Sequence, residues 1–140
     1  MKIQPNNVKF KKSHKKRFFK GVQYKSNLLK FGYYGLKALN AGIVTYKHLE
    51  TGRKAINQVL KRSGKIWIRV FPNQPLSKKP IEVRMGKGKG NVDKWICYIK
   101  PGTILYEVNS NNILKIKEAL NNASIKLPLK TKIISKNNLV

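Results

Sequence analysis

Hydrophobic positions along this chain recur at two spacings, one helical and one strand-like. From Thr45 to Ser63 the residues Leu49, Ile56 and Leu60 fall on one helical stripe, with Thr45 suited to the N-cap and Gly64 to the stop, which predicts a first helix. A second is expected from about Asn112 to Ala123, with Ile113, Ile116, Leu120 and Ala123 on one side. Strand-like runs lie at Phe31 to Leu39, Ile66 to Phe71, Ile81 to Arg84, Val92 to Ile99, Ile104 to Val108 and Leu127 to Ile134. In the last run Leu127, Leu129 and Ile133 alternate with Lys130 and Lys132; in the second, Ile66, Ile68 and Val70 share a face.

Asn40-Ala41-Gly42 reads as a turn, and Pro72, Pro75 and Pro80 as the frame of a loop. Pro101-Gly102 predicts a hairpin joining Val92 to Ile99 with Ile104 to Val108. The expected architecture is α+β: a two-layer domain of a mainly antiparallel sheet with two helices, plus a basic extended N-terminal arm and a Gly/Lys-rich loop. Residues 1–30 are assigned to the arm and residues 31–140 to a single α+β domain; 140 residues suffice for one modest core.

Charge changes this picture most. The chain carries 31 Lys and Arg against 5 Asp and Glu, a net charge of +26. The acids are Glu50, Glu82, Asp93, Glu107 and Glu118, so most cations have no internal partner and repel one another until a polyanion neutralises them. Nucleic acid is the strongest candidate, because neutralising phosphates releases condensed counterions. Membrane insertion is disfavoured, since no run of about 18 apolar residues occurs.

The single cysteine, Cys97, excludes an internal disulfide and sits in an apolar run, where a small hydrophobe is expected rather than a nucleophile. Lys, Asn and Ile are favoured, as A/T-rich codons would dictate, which hints at an organelle genome.

The cations fall into three groups. In the arm, Lys9, Lys11, Lys12, Lys15, Lys16 and Arg17 surround Phe10 and His14, a mixture that can neutralise phosphates and stack on bases. Along the first helix, Lys47, Lys54 and Lys61 repeat every seven residues opposite the apolar stripe and are joined by Arg62; solvation and RNA contact remain equal readings of that face. The third is the run Arg84-Met85-Gly86-Lys87-Gly88-Lys89-Gly90-Asn91, whose glycines let a backbone approach another molecule closely.

That run fits neither a P-loop, which needs four residues between its glycines and a Ser or Thr after Lys, nor a dinucleotide fingerprint. Arg69 on the second strand is a further candidate RNA contact. Trp67 and Trp95 are expected in the core, with stacking on a base as the lesser alternative. The carboxylates are dispersed, His14 and His48 have no spaced partners, and no Ser-centred elbow occurs, so neither a catalytic centre nor a metal or cofactor site is expected.

Several blocks together resemble the large-subunit ribosomal protein L-sixteen family. They are Phe31-Gly32-Tyr33-Tyr34-Gly35-Leu36-Lys37-Ala38-Leu39, Arg53-Lys54-Ala55-Ile56, Gly64 to Pro72, Arg84 to Asn91, Pro101-Gly102 through Glu107, and Lys126 to Thr131, in family order over nearly the whole chain. The resemblance implies a structural, non-enzymatic component that binds large-subunit ribosomal RNA and helps position aminoacyl-site tRNA, with peptidyl-site tRNA a second candidate. Its neighbours would be other large-subunit proteins, and no homo-oligomer is expected.

By position, Arg84, Met85, Gly86, Lys87 and Gly88 match the family loop turned toward the functional centre, and Lys9, Phe10, Lys12, His14 and Lys15 match its basic arm. Pro5 is followed by Asn6-Asn7 where the family usually has Lys-Arg, and the segment between Val108 and Leu127 is Asn-rich, so a second helix shorter or less stable than its relatives' is expected. The codon bias, and an N-terminus that aligns with the family's own start, favour a mitochondrial ribosome over a plastid or bacterial one. A free-standing RNA assembly chaperone is the alternative function.

Overall fold

The computed structural model describes residues 5–15, 21–61 and 63–136. In chain order the elements are β1 (Tyr34–Ala38), β2 (Gly42–Thr45), α1 (Tyr46–Leu60), β3 (Gly64–Ile68), β4 (Gln74–Lys78), β5 (Asn91–Ile99), β6 (Ile104–Ser110), α2 (Ile113–Ile125) and β7 (Thr131–Ser135). The strands form two antiparallel sheets, one of four strands in the order β3-β6-β1-β7 and one of three in the order β2-β5-β4. The fold is α+β, with two helices and antiparallel strands.

Helix α1 begins where its residues favour it. The Thr45 hydroxyl accepts from the His48 backbone N–H at 3.4 Å, and His48 Nδ1 accepts from the Thr45 N–H at 3.4 Å, a reciprocal cap. The helix ends at Lys61, in a left-handed conformation with φ 47°, three residues before the glycine expected to stop it. Its stripe of Leu49, Gly52, Ile56 and Leu60 is buried against α2, which contributes Ile116, Ala119, Leu120 and Ala123. Ile113, expected on that side, is half exposed. Asn112 caps α2 by accepting from the Lys115 N–H at 3.2 Å.

Both helices cover the inner face of the four-stranded sheet, where Leu36, Ala38, Tyr106 and Val108 complete the core. Gly52 permits the closest approach: a Cβ there would lie 2.5 Å from Tyr106 Oη, which donates to the Leu49 carbonyl at 2.8 Å.

Three expectations need correction. The Pro101-Gly102 turn exists, with Gly102 at φ 89° and the Thr103 N–H bonded to the Lys100 carbonyl at 3.2 Å. It does not close a hairpin, because it passes the chain from β5 in one sheet to β6 in the other. Both edges of β6 are occupied by β1 and β3, so β5 has nowhere to pair with it. No strand forms at Ile81 to Arg84; the strand lies earlier, at Gln74–Lys78, within the proline-framed segment. Pro75 is tolerated because β4 is an edge strand. Finally, Trp67 and Trp95 are only half-buried, whereas Cys97, partly buried, packs against the core as a small hydrophobe should.

Candidate nucleic-acid interface

The loop between β4 and β5 runs over residues 79–90, longer than the strand reading allowed, and residues 81–89 are all exposed. Gly86, Lys87 and Gly88 take φ values of 94°, 48° and 83° in succession, a left-handed run that glycine makes accessible. A Cβ on Gly86 or Gly88 would meet nothing within 4 Å, so those glycines serve backbone shape; at Gly90 it would lie 2.5 Å from the Lys78 carbonyl, so that glycine serves packing. Lys79 Nζ donates to the Gly86 carbonyl and holds the loop across its base. Arg84, Met85, Lys87 and Lys89 project into solvent, Met85 at 99% exposure, which is more than a packing role could explain.

The described part of the arm, residues 5–15, lies beside this loop. Lys12 Nζ donates to the Lys89 carbonyl at 3.0 Å, and Lys89 Nζ donates in return to the Ser13 carbonyl. Behind these contacts, Pro5, Asn6, Val8 and Lys11 meet Val92 and Trp95 around a cleft of about 330 Å3. Lys9, Phe10, Lys11, Lys12, His14 and Lys15 are exposed, with Lys9 Nζ 5.6 Å from the Phe10 ring centre. Residues 77 positions apart in sequence therefore form one cationic surface. Lys47, Lys54 and Lys61 are exposed on α1. Lys16, Arg17 and Arg62 lie outside the described residues.

Arg69 has a different environment from the other cations. Its Nη1 donates to Glu107 Oε1, its side chain is 12% exposed, and its guanidinium lies 5.3 Å from the Phe31 ring centre. Glu107 is fully buried on β6 and also accepts from three consecutive backbone N–H groups: Lys30 at 3.1 Å, Phe31 at 2.7 Å and Gly32 at 2.8 Å. Burial alone would raise its pKa; the bonds from Gly32, Phe31, Arg69 and Lys30 outweigh that and hold it below the ordinary carboxylate value.

This buried anion fastens the end of the arm to the outer face of the four-stranded sheet. Gly32 must be glycine there, since a Cβ would lie 2.7 Å from the Val108 carbonyl oxygen. The sequence held no sign of this role for Glu107, because its partners at positions 30–32 and 69 come together only through the fold. Also unflagged were Lys65, 5.4 Å from the Trp67 ring centre, and Lys136, 5.8 Å from that of Tyr33.

Among the described residues no group of three His, Cys, Asp or Glu could hold a metal ion, and His48 is engaged in the α1 cap. Burial pushes the Cys97 thiol up to about 11, against a smaller opposing effect of a Phe71 backbone hydrogen bond. No helix among the described residues is long and apolar enough to cross a membrane.

Known proteins resemble this chain over nearly its whole length. A family model described as ribosomal protein L16p/L10e matches residues 5–134. The large ribosomal subunit protein uL16 of Alkalilimnicola ehrlichii is 45% identical over 137 residues, covering 98% of this chain and 99% of that protein. Its counterpart in Psychrobacter cryohalolentis is 48% identical over 134 residues, covering 96% and 97%. That of Francisella tularensis subsp. holarctica is 44% identical with the same coverage. With the match running from the arm through β7 and nearly end to end in each relative, the chain belongs to the ribosomal protein L16p/L10e family.

Proposed function

We propose that this protein is a structural constituent of the large ribosomal subunit, binding its RNA through the arm and the exposed face of α1, and presenting the loop from Arg84 to Lys89 to aminoacyl-site tRNA. Members of this family are ribosomal structural proteins rather than enzymes. The observation that carries the reading is the reciprocal contact of Lys12 with Lys89 and of Lys89 with Ser13, which joins the two most basic segments into one exposed surface. With a net charge of +26, such a surface repels itself and is stabilised beside a dense array of phosphates.

The division of labour is testable in ribosomes. Arg84→Ala should weaken aminoacyl-site tRNA binding while subunits still assemble; deleting residues 2–17 should deplete mature large subunits. Sedimentation profiles and tRNA retention on the two variants separate the effects, and equal defects in both would refute the assignment. A free-standing assembly chaperone would leave mature subunits devoid of the protein. The bacterial relatives support a ribosome of bacterial type. The Asn, Ile and Lys bias supports a mitochondrial one, which co-sedimentation with mitochondrial large subunits would test.

A further inference from the structure

The outer face of the four-stranded sheet, opposite the helices, is only partly covered. Register places Gly35, Glu107 and Trp67 in one row across β1, β6 and β3. The segment Leu29–Gly32 covers the middle of that row: Leu29 is buried, and a Cβ on Gly35 would strike its Cδ2 at 2.4 Å. On either side of this cover the aromatic rings stay open. Phe31 is 57% exposed and stacks on Trp67, with ring centres 6.0 Å apart and planes 21° apart. Tyr33 is 57% exposed beside Lys136, and its ring borders a cleft of about 310 Å3 walled by Ser110, Asn111 and Ile113.

We infer that this face is a stacking platform for unpaired RNA bases, with Tyr33 and the Phe31–Trp67 stack as its rings and Lys136 and Lys65 as the phosphate partners of the stacked nucleotides. The inference deepens the RNA-binding reading above and rests on it. Three observations carry it. The first is the grouping of Phe31 and Tyr33, both exposed in the segment just before β1, with Trp67 of β3 beside an antiparallel sheet, a surface on which bases of single-stranded RNA can stack.

The second is charge. Tyr33 and Trp67 each have a lysine ammonium within 6 Å of the ring centre, 5.8 Å at Tyr33 and 5.4 Å at Trp67. A surface cation–π contact is worth only about 0.5–1 kcal/mol, so a base can take the ring while the lysine swings to the adjoining phosphate. The third is rigidity. Phe31 is fixed by its N–H bond to Glu107 and by the Arg69 guanidinium against its ring, so the face needs little ordering on binding. The Tyr33 cleft is also at the lower end of ligand-sized cavities, roughly 300–1,000 Å3, and carries serine and asparagine groups that can meet a base edge.

The test uses the full-length chain with a ten-nucleotide oligouridine RNA and a fully paired RNA duplex of equal length, titrated at several salt concentrations. Tyr33→Ala should weaken oligouridine binding about tenfold, the loss of one stacked base, while duplex binding and both salt slopes stay unchanged. Tyr33→Phe, which keeps the ring, should bind as wild type. In a Trp95→Phe background, fluorescence from Trp67 should be quenched by oligouridine and not by duplex, which reads the platform without altering it.

Equal loss on both RNAs, no loss on either, or a Phe variant as weak as the Ala variant would overturn the platform while leaving salt-dependent RNA binding by wild type intact. Wild type that binds neither RNA would remove the RNA reading and the platform together.

Discussion

Glu107 is the only acid buried to 0% exposure, and removing it perturbs one cluster in a calculable way. Glu107→Ala would leave the Arg69 guanidinium, 12% exposed, without its carboxylate and three backbone N–H groups without their acceptor. Removing one partner of a buried pair typically costs about 3–5 kcal/mol, because the remaining charge stays uncompensated. For a chain of this length each kcal/mol shifts the midpoint by about 2–4 °C, so a fall of roughly 10 °C in Tm is expected.

Glu107→Gln adds a pH signature. The native carboxyl lies below its ordinary value of 4.5, so it stabilises the fold above about pH 4.5 and loses that contribution as pH falls through the lower native value. Urea melts followed by circular dichroism should therefore show a constant gap between wild type and Glu107→Gln from pH 5 to pH 7, narrowing in more acid solution. A loss below about 1 kcal/mol for Glu107→Ala, or a gap that persists unchanged into strong acid, would refute the idea that this carboxylate clamps the arm to the sheet.

Other positions give sharper local tests. Gly52→Ala should destabilise by about 1–3 kcal/mol by pressing its Cβ on Tyr106 Oη, and adding Tyr106→Phe should recover part of the loss in a thermal double-mutant cycle; strict additivity would contradict the close contact. Gly86→Ala and Gly88→Ala should each destabilise by about 1–2 kcal/mol through strain at positive φ, although both face open space, lowering Tm by a few degrees with NMR shift changes confined to residues 79–90. Cys97, its thiol pushed up to about 11, should react with iodoacetamide at pH 8 about two orders of magnitude more slowly than free cysteine, with normal reactivity restored in denaturant; rapid labelling of folded protein would contradict its burial.

What could be read without the fold was whatever the chain encodes locally. The helices at Tyr46–Leu60 and Ile113–Ile125 follow from apolar spacing and capping residues, and the runs at Asn91–Ile99 and Ile104–Ser110 from β-branched and aromatic content. The basic arm, the glycine-spaced loop and the family resemblance were equally legible, because each is contiguous in sequence.

Strand partnership was not, since pairing depends on which edges other segments leave free. Two strands separated only by Lys100 to Thr103 thus entered different sheets, and Pro75 found a place in a strand because β4 lies at an edge. The role of Arg69 was hidden for the same reason. A lone cation in a strand looks available to phosphate until the fold sets Glu107 beside it, in a pocket built from segments 38 and 75 to 77 residues away. Periodicity located both helices and several of the strands, and charge pointed to a polyanionic partner; only tertiary contact decided which cations are neutralised inside the chain and which stay exposed.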